Sequence, residues 1–188
     1  MSGHQPVEPL TFNVAGLLAD PPGTTQDYAL AGITVALDGD RRLSDPIEGR
    51  LRLVRTNRGI LVRADLSTGL EAECSRCLRP IEVPLELRLD DEVLPSIDLA
   101  SGQPVDTAAE PDAARLSDHH ELELEGLVRE AIGLAEPIAP VCRADCPGLC
   151  LDCGEQLETG LHDHPEEPVD PRLEALRAFR VDGEPGSE

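Results

Sequence analysis

The stretch VCRADCPGLCLDCGEQ (141–156) places four of the chain's six cysteines within twelve positions. The other two stand in ECSRCLRP (73–80), and two histidines follow in GLHDHPEEP (160–168). A CxxC presents two thiolates from one tight turn, whose backbone N–H groups stabilise the sulfur charge, and four such ligands satisfy a tetrahedral zinc ion. Two sets of four are available. Cys74, Cys77, Cys142 and Cys146 make one; Cys150, Cys153, His162 and His164 make the other. A single all-cysteine set, Cys142, Cys146, Cys150 and Cys153 with solvated histidines, competes with this partition. The expected cofactor is structural Zn2+, one or two per chain. Glycine follows the second cysteine in CLDCG, where a knuckle turn favours positive φ. CSRCL has Leu78 there and carries the weaker signal.

Redox chemistry is the rival use of CxxC. It requires the motif at a helix N-terminus after a strand, where the dipole lowers a thiol pKa. CSRC instead stands between two alternating segments, and CLDC follows a Pro-Gly turn. Two closed sets of four leave no ligand position for water, and no carboxylate is tied to the cluster as a base. No enzyme is expected. His4, His119 and His120 are expected to be exposed.

A chain of 188 residues makes one domain or a modest domain with an appendage. With no Trp, one Tyr and two Phe, its core must be aliphatic, and a core without aromatic anchors gains more from a metal staple. The N-terminal MSGHQPVEPL has neither a basic nor an apolar signal region, and apolar runs are far below spanning length. A cytoplasmic location is expected, and a reducing compartment favours metal over structural disulfides.

Alternation predicts an antiparallel sheet in the first half, hence an α+β class. PIEGRLRLVR (46–55) and ILVRADL (60–66) flank the turn TNRG; GLEAEC (69–74) and IEVPLELRL (81–89) bracket CSRC, which falls at a hairpin tip. Pro84 marks the last of these as an edge or irregular strand. Residues 1–95 therefore read as mostly β, and 96–118 as an acidic, Pro/Ala-rich linker or long loop. Residues 119–188 read as a helix, the Cys/His zinc-knuckle region and a C-terminal helix. The first helix buries Leu124, Leu127, Val128 and Ala131 and stops before Pro137. The second starts at Asp170-Pro171 and carries Leu173, Leu176 and Phe179.

The segments ECSRCLRPIEVPLEL, LVREAIGLAEPIAPVCRADCPGLCLDCGEQL and DPRLEAL, in that order, resemble the YceD family of bacteria and plastids over roughly residues 46–180. The resemblance implies a role in accumulation of 23S ribosomal RNA and assembly of the large ribosomal subunit, with no enzymatic activity. Many relatives carry CxC where this chain has His162-Asp163-His164, an exchange that zinc tolerates and a disulfide does not.

Charge complicates that role. The formal net charge is −21, with 10 Arg against 13 acids in residues 1–90 and 6 Arg against 24 acids in 91–188. Phosphate attraction cannot dominate such a surface. One expectation is a local RNA-binding face of Arg50, Arg52, Arg55, Arg58 and Arg63, with Arg76 and Arg79 near the knuckle tip, so that the partner is ribosomal RNA or a pre-ribosomal particle. The other is an acidic chaperone that escorts a basic large-subunit ribosomal protein without touching RNA. A thiol redox protein is the remote third. No membrane and no small-molecule substrate are expected.

Overall fold

The computed structural model describes residues 10–98, 100–105, 108, 110–159, 164 and 172. Four strands, β2 (Thr25–Ile33), β3 (Leu43–Arg55), β4 (Ile60–Glu73) and β5 (Pro80–Val93), form an antiparallel sheet in sequence order. Period-two patterning explains why. On β4, Ile60, Val62, Ala64, Leu66 and Leu70 are buried while Arg63 and Asp65 are exposed. On β5, Leu85, Leu87 and Leu89 are buried while Glu86, Arg88 and Asp90 face water. β4 is longer than ILVRADL alone: it runs unbroken into GLEAEC, and its full length pairs with β5 without a register shift. β5 ends the sheet, as Pro84 requires.

The buried face is closed by short pieces. β1 (Thr11–Asn13) pairs antiparallel with β6 (Glu121–Glu123), and α1 (Ala15–Ala19) adds Leu17 and Leu18 to the core. The helix α2 (Glu125–Ala135) packs on β5. Its fully buried line is Leu124, Val128 and Ile132, at i, i+4 and i+8, with Leu127 and Ala131 only partly covered. The expected face is thus rotated toward Ile132. The core is aliphatic; Phe12 and Tyr28 meet at its margin with ring centroids 4.8 Å apart.

The segment expected to be a linker is tied down at both ends. Leu94 bridges Arg115, Ile97 bridges Pro104, and Leu116 is 2 % exposed within the core. Compactness divides the chain elsewhere, into 1–146 and 147–188. In the second unit Leu149 bridges Gln156, and a single 3-10 turn covers Leu157–Thr159. Apart from residue 172, the expected C-terminal helix at 170–180 lies outside the described residues. His119 is exposed as expected, but His120 is half-buried, with positive φ and a buried Nδ1 that has no hydrogen-bond partner among the described residues.

A bulge between β2 and β3 brings Gly49 to φ 151°, and a Cβ there would drive into the Asp65 carbonyl oxygen and the Leu66 Cα. Gly49→Ala is expected to cost on the order of 3 kcal/mol, read as a lower urea midpoint with unchanged slope.

Candidate functional site

The turn between β4 and β5 is built by two backbone hydrogen bonds. Leu78 N–H donates to the Cys74 carbonyl at 2.9 Å, and Cys74 N–H donates to the Arg79 carbonyl at 2.9 Å. The turn in CLDCG repeats both: Gly154 N–H reaches the Cys150 carbonyl at 2.9 Å, and Cys150 N–H the Glu155 carbonyl at 2.7 Å. Gly154 has φ 75° and Leu78 has φ 56°. The two knuckles are the same turn, one with glycine at the left-handed position and one with a strained leucine. Leu78 is 57 % exposed, so little packing compensates the strain. Leu78→Gly is expected to stabilise the protein by about 0.5 kcal/mol, the relieved strain less glycine's added chain entropy. Gly154→Leu should do the reverse, and paired thermal melts check both.

A second loop meets the first knuckle. Ser75 N–H donates to the Pro140 carbonyl at 2.8 Å, and the Arg76 guanidinium donates to the carbonyls of Ala144 at 3.2 Å and Cys146 at 3.1 Å. Arg76 is thus turned to holding the loop. These bonds bring Cys74, Cys77, Cys142 and Cys146 together, all four sulfurs within 4.8 Å of one another. Cys74 Sγ lies 3.8 Å from Cys146 Sγ, and Cys77 Sγ 3.8 Å from Cys142 Sγ. Four sulfurs at zinc bond length stand about 3.8 Å apart, whereas a disulfide needs about 2 Å. Three of the four cysteines are almost fully buried.

In the second unit, Cys150, Cys153 and His164 bring their ligand atoms within the same limit, and Cys150 Sγ lies 3.3 Å from His164 Nε2. A sulfur–nitrogen edge of a zinc tetrahedron is roughly 3.5 Å. His162, the expected fourth ligand, lies outside the described residues.

The thiols are electrostatically unequal. Burial opposes ionisation of Cys74, but the backbone N–H groups of Cys142, Cys77 and Arg76 and the Cys77 thiol outweigh it and bring Cys74 to about 6. Burial, then the sulfurs of Cys146, Cys74 and Cys77, push Cys142 up to about 12. In the other cluster the N–H groups of Cys153 and Asp152 lower Cys150 against burial. The Glu155 N–H favours the Cys153 thiolate, yet burial and the Cys150 sulfur together raise it. In each cluster one thiol is thus eased toward the thiolate while another is held protonated, and a divalent cation would offset the repulsion between sulfurs. The four-cysteine set fits a tetrahedral zinc ion, which would cross-link the two loops there; the second cluster offers three donors among the described residues.

The arginines separate into three groups. Arg50, Arg52 and Arg63 share the exposed sheet face around a shallow hollow of about 580 Å³. Arg52 holds Asp27 through two bonds of 2.6 and 3.3 Å, which keeps that carboxyl below the usual range, and Arg63 lies 3.5 Å from Asp90. Arg50 has no ion pair among the described residues and stands in register with Asp65. Arg55 has the opposite strand parity: its guanidinium bonds the carbonyls of Leu18 at 3.0 Å and Gly59 at 3.1 Å, and that of Thr56. Arg58, at the β3–β4 turn, pairs with Glu110 and with Glu92 at 3.8 Å. The expected five-arginine face is therefore a trio bordered by its own aspartates.

A family model for the large ribosomal RNA subunit accumulation protein YceD matches residues 62–180. The chain belongs to the YceD family. It is also similar to uncharacterized mycobacterial proteins. The identity is 36 % over 128 residues to those of Mycobacterium tuberculosis and Mycobacterium bovis, covering 67 % of this chain and 58 % of theirs. To that of Mycobacterium leprae it is 30 %, covering 67 % of this chain and 55 % of the relative. The match thus spans less than two thirds of the length of these curated relatives. No solved structure matches the chain. Among the described residues no helix is long and apolar enough to cross a membrane.

Proposed function

We propose that this YceD protein is a non-enzymatic, cytoplasmic factor that promotes accumulation of 23S ribosomal RNA and assembly of the large ribosomal subunit, with zinc held by its cysteine clusters. The family match carries the reading. The sulfur geometry supports the metal: thiols spaced as tetrahedral neighbours suit a structural ion better than a reversible disulfide. Cells lacking the protein should show a lowered 23S to 16S ratio and fewer large subunits on sucrose gradients. The intact gene should restore both, and a Cys74→Ser, Cys77→Ser variant should not. An unchanged ratio in the deletion strain overturns the reading.

One observation favours a second mode for the same role. Two of the three arginines on the sheet face are engaged by aspartates, so little positive charge is left for phosphate. On this reading the protein escorts a basic large-subunit ribosomal protein. Replacing Arg50, Arg52 and Arg63 together by Glu separates the modes. An RNA binder loses ribosomal RNA, with a steep salt dependence, and an escort keeps its protein partner.

A further inference from the structure

Among the described residues the outer edge of β5 is open, and β5 pairs with β4 alone. Pro80 and Pro84 have no N–H to give, so the ladder to β4 runs through the odd-numbered residues, and the even-numbered ones turn N–H and C=O outward. Leu94 shows the same parity: its N–H donates to the Ala114 carbonyl, and its own carbonyl accepts from Leu116 N–H, both at 2.9 Å. Glu86, Arg88 and Asp90 carry the same outward groups without such a partner among the described residues.

Beside this edge runs a second apolar line of α2. Leu127, Ala131 and Leu134 recur at i, i+4 and i+7, and Leu134 is 81 % exposed. Edge and helix enclose a trough of about 320 Å³, rimmed by Glu86, Asp91 and Glu130, with Arg88 its one cation among the described residues. Charges on an open edge often serve only to block aggregation. That purpose leaves unexplained a half-buried apolar line that ends in the exposed Leu134 beside the edge.

We propose that this trough docks an extended basic segment of a partner protein, which joins the sheet as a strand beside β5. Main-chain bonds to Glu86, Arg88 and Asp90 supply the pairing, as in other strand additions. Alternate aliphatic side chains lie on Leu127 and Leu134, and the intervening lysines or arginines face Glu86 and Asp90. A second copy of this chain is a poor occupant, because each carries −21 and would bring a like-charged edge. The inference rests on the escort reading, but its test does not use ribosomal RNA levels, so each fails separately.

The probe is a capped Lys-Val-Lys-Val-Lys-Val-Lys peptide added to the full chain. It should slow amide exchange at Glu86, Arg88 and Asp90 at least about tenfold, as strand pairing protects amides. A Glu-Val counterpart and a peptide N-methylated at every second residue should not. Leu134→Asp, at an exposed position, and Arg88→Pro, which removes an outward N–H as Pro84 already does, should each weaken binding at least about tenfold. Equal binding by the N-methylated peptide, or full affinity in both variants, reduces the contact to diffuse charge attraction and overturns the proposal. Concentration-dependent dimers abolished by Arg88→Pro would assign the edge to a second copy and overturn it too.

Discussion

Zinc-loaded protein treated with a strong chelator is expected to lose at least about 10 °C in melting temperature. A structural zinc site contributes apparent binding energy on the order of 10 kcal/mol, comparable with the whole stability of a domain. For a chain of this size about 1 kcal/mol moves the midpoint by roughly 2–4 °C, so even half of that contribution reaches the stated loss. The first cluster should dominate, because it ties residues 65 to 72 positions apart, whereas Cys150 and His164 are 14 apart. Cys74→Ser with Cys77→Ser should reproduce most of the loss, and Cys153→Ser, at an exposed thiol, much less. Elemental analysis of protein purified without added metal should give close to two zinc ions per chain. An absence of zinc, with all six thiols titrating freely in the folded protein, would rule out the metal.

Arg55→Met should cost about 3 kcal/mol, since hydrogen bonds to a charged group are worth roughly 1.5–3 kcal/mol and three half-buried carbonyls lose their donor at once. The side chain joins the end of α1 to the β3–β4 turn through Leu18, Thr56 and Gly59. A lower denaturant midpoint at constant slope checks it. Arg50→Glu, at an exposed position, should shift stability by less than about 0.5 kcal/mol. A binding defect in an Arg55 variant would therefore report folding, while one in an Arg50 variant would report contact.

Strands β3, β4 and β5 were legible because alternation over stretches of six to ten residues, bounded by turn residues, favours a strand, whereas the nine-residue β2, TQDYALAGI, was not read. The position of CSRC at a hairpin tip followed from the strands on either side. Three-residue strands such as β1 and β6 hold no period to read, and their pairing joins residues more than a hundred positions apart. The same loss of local signal hid Leu116, a core residue inside a stretch whose composition says loop. Arg55 misled for a different reason: composition counts a charge, but strand parity decides which side of the sheet receives it. Leu78 is the instructive miss at the metal cluster. Its missing glycine weakened the motif on paper, yet the chain adopts the knuckle there at the expense of backbone strain.

The span of the first cysteine cluster also sets a schedule for the newborn chain. Translation at about 5–20 residues per second separates the emergence of Cys77 from that of Cys142 by roughly 3–13 seconds. During that interval Cys74 and Cys77 are an exposed dithiol on a growing hairpin, open to oxidation or to any passing metal. The sheet can form without waiting, whereas the four-sulfur cage closes only after α2 has left the ribosome. Capture of the proposed metal would therefore mark the completion of synthesis through Cys146, and a brief oxidant pulse should damage nascent chains far more than finished ones.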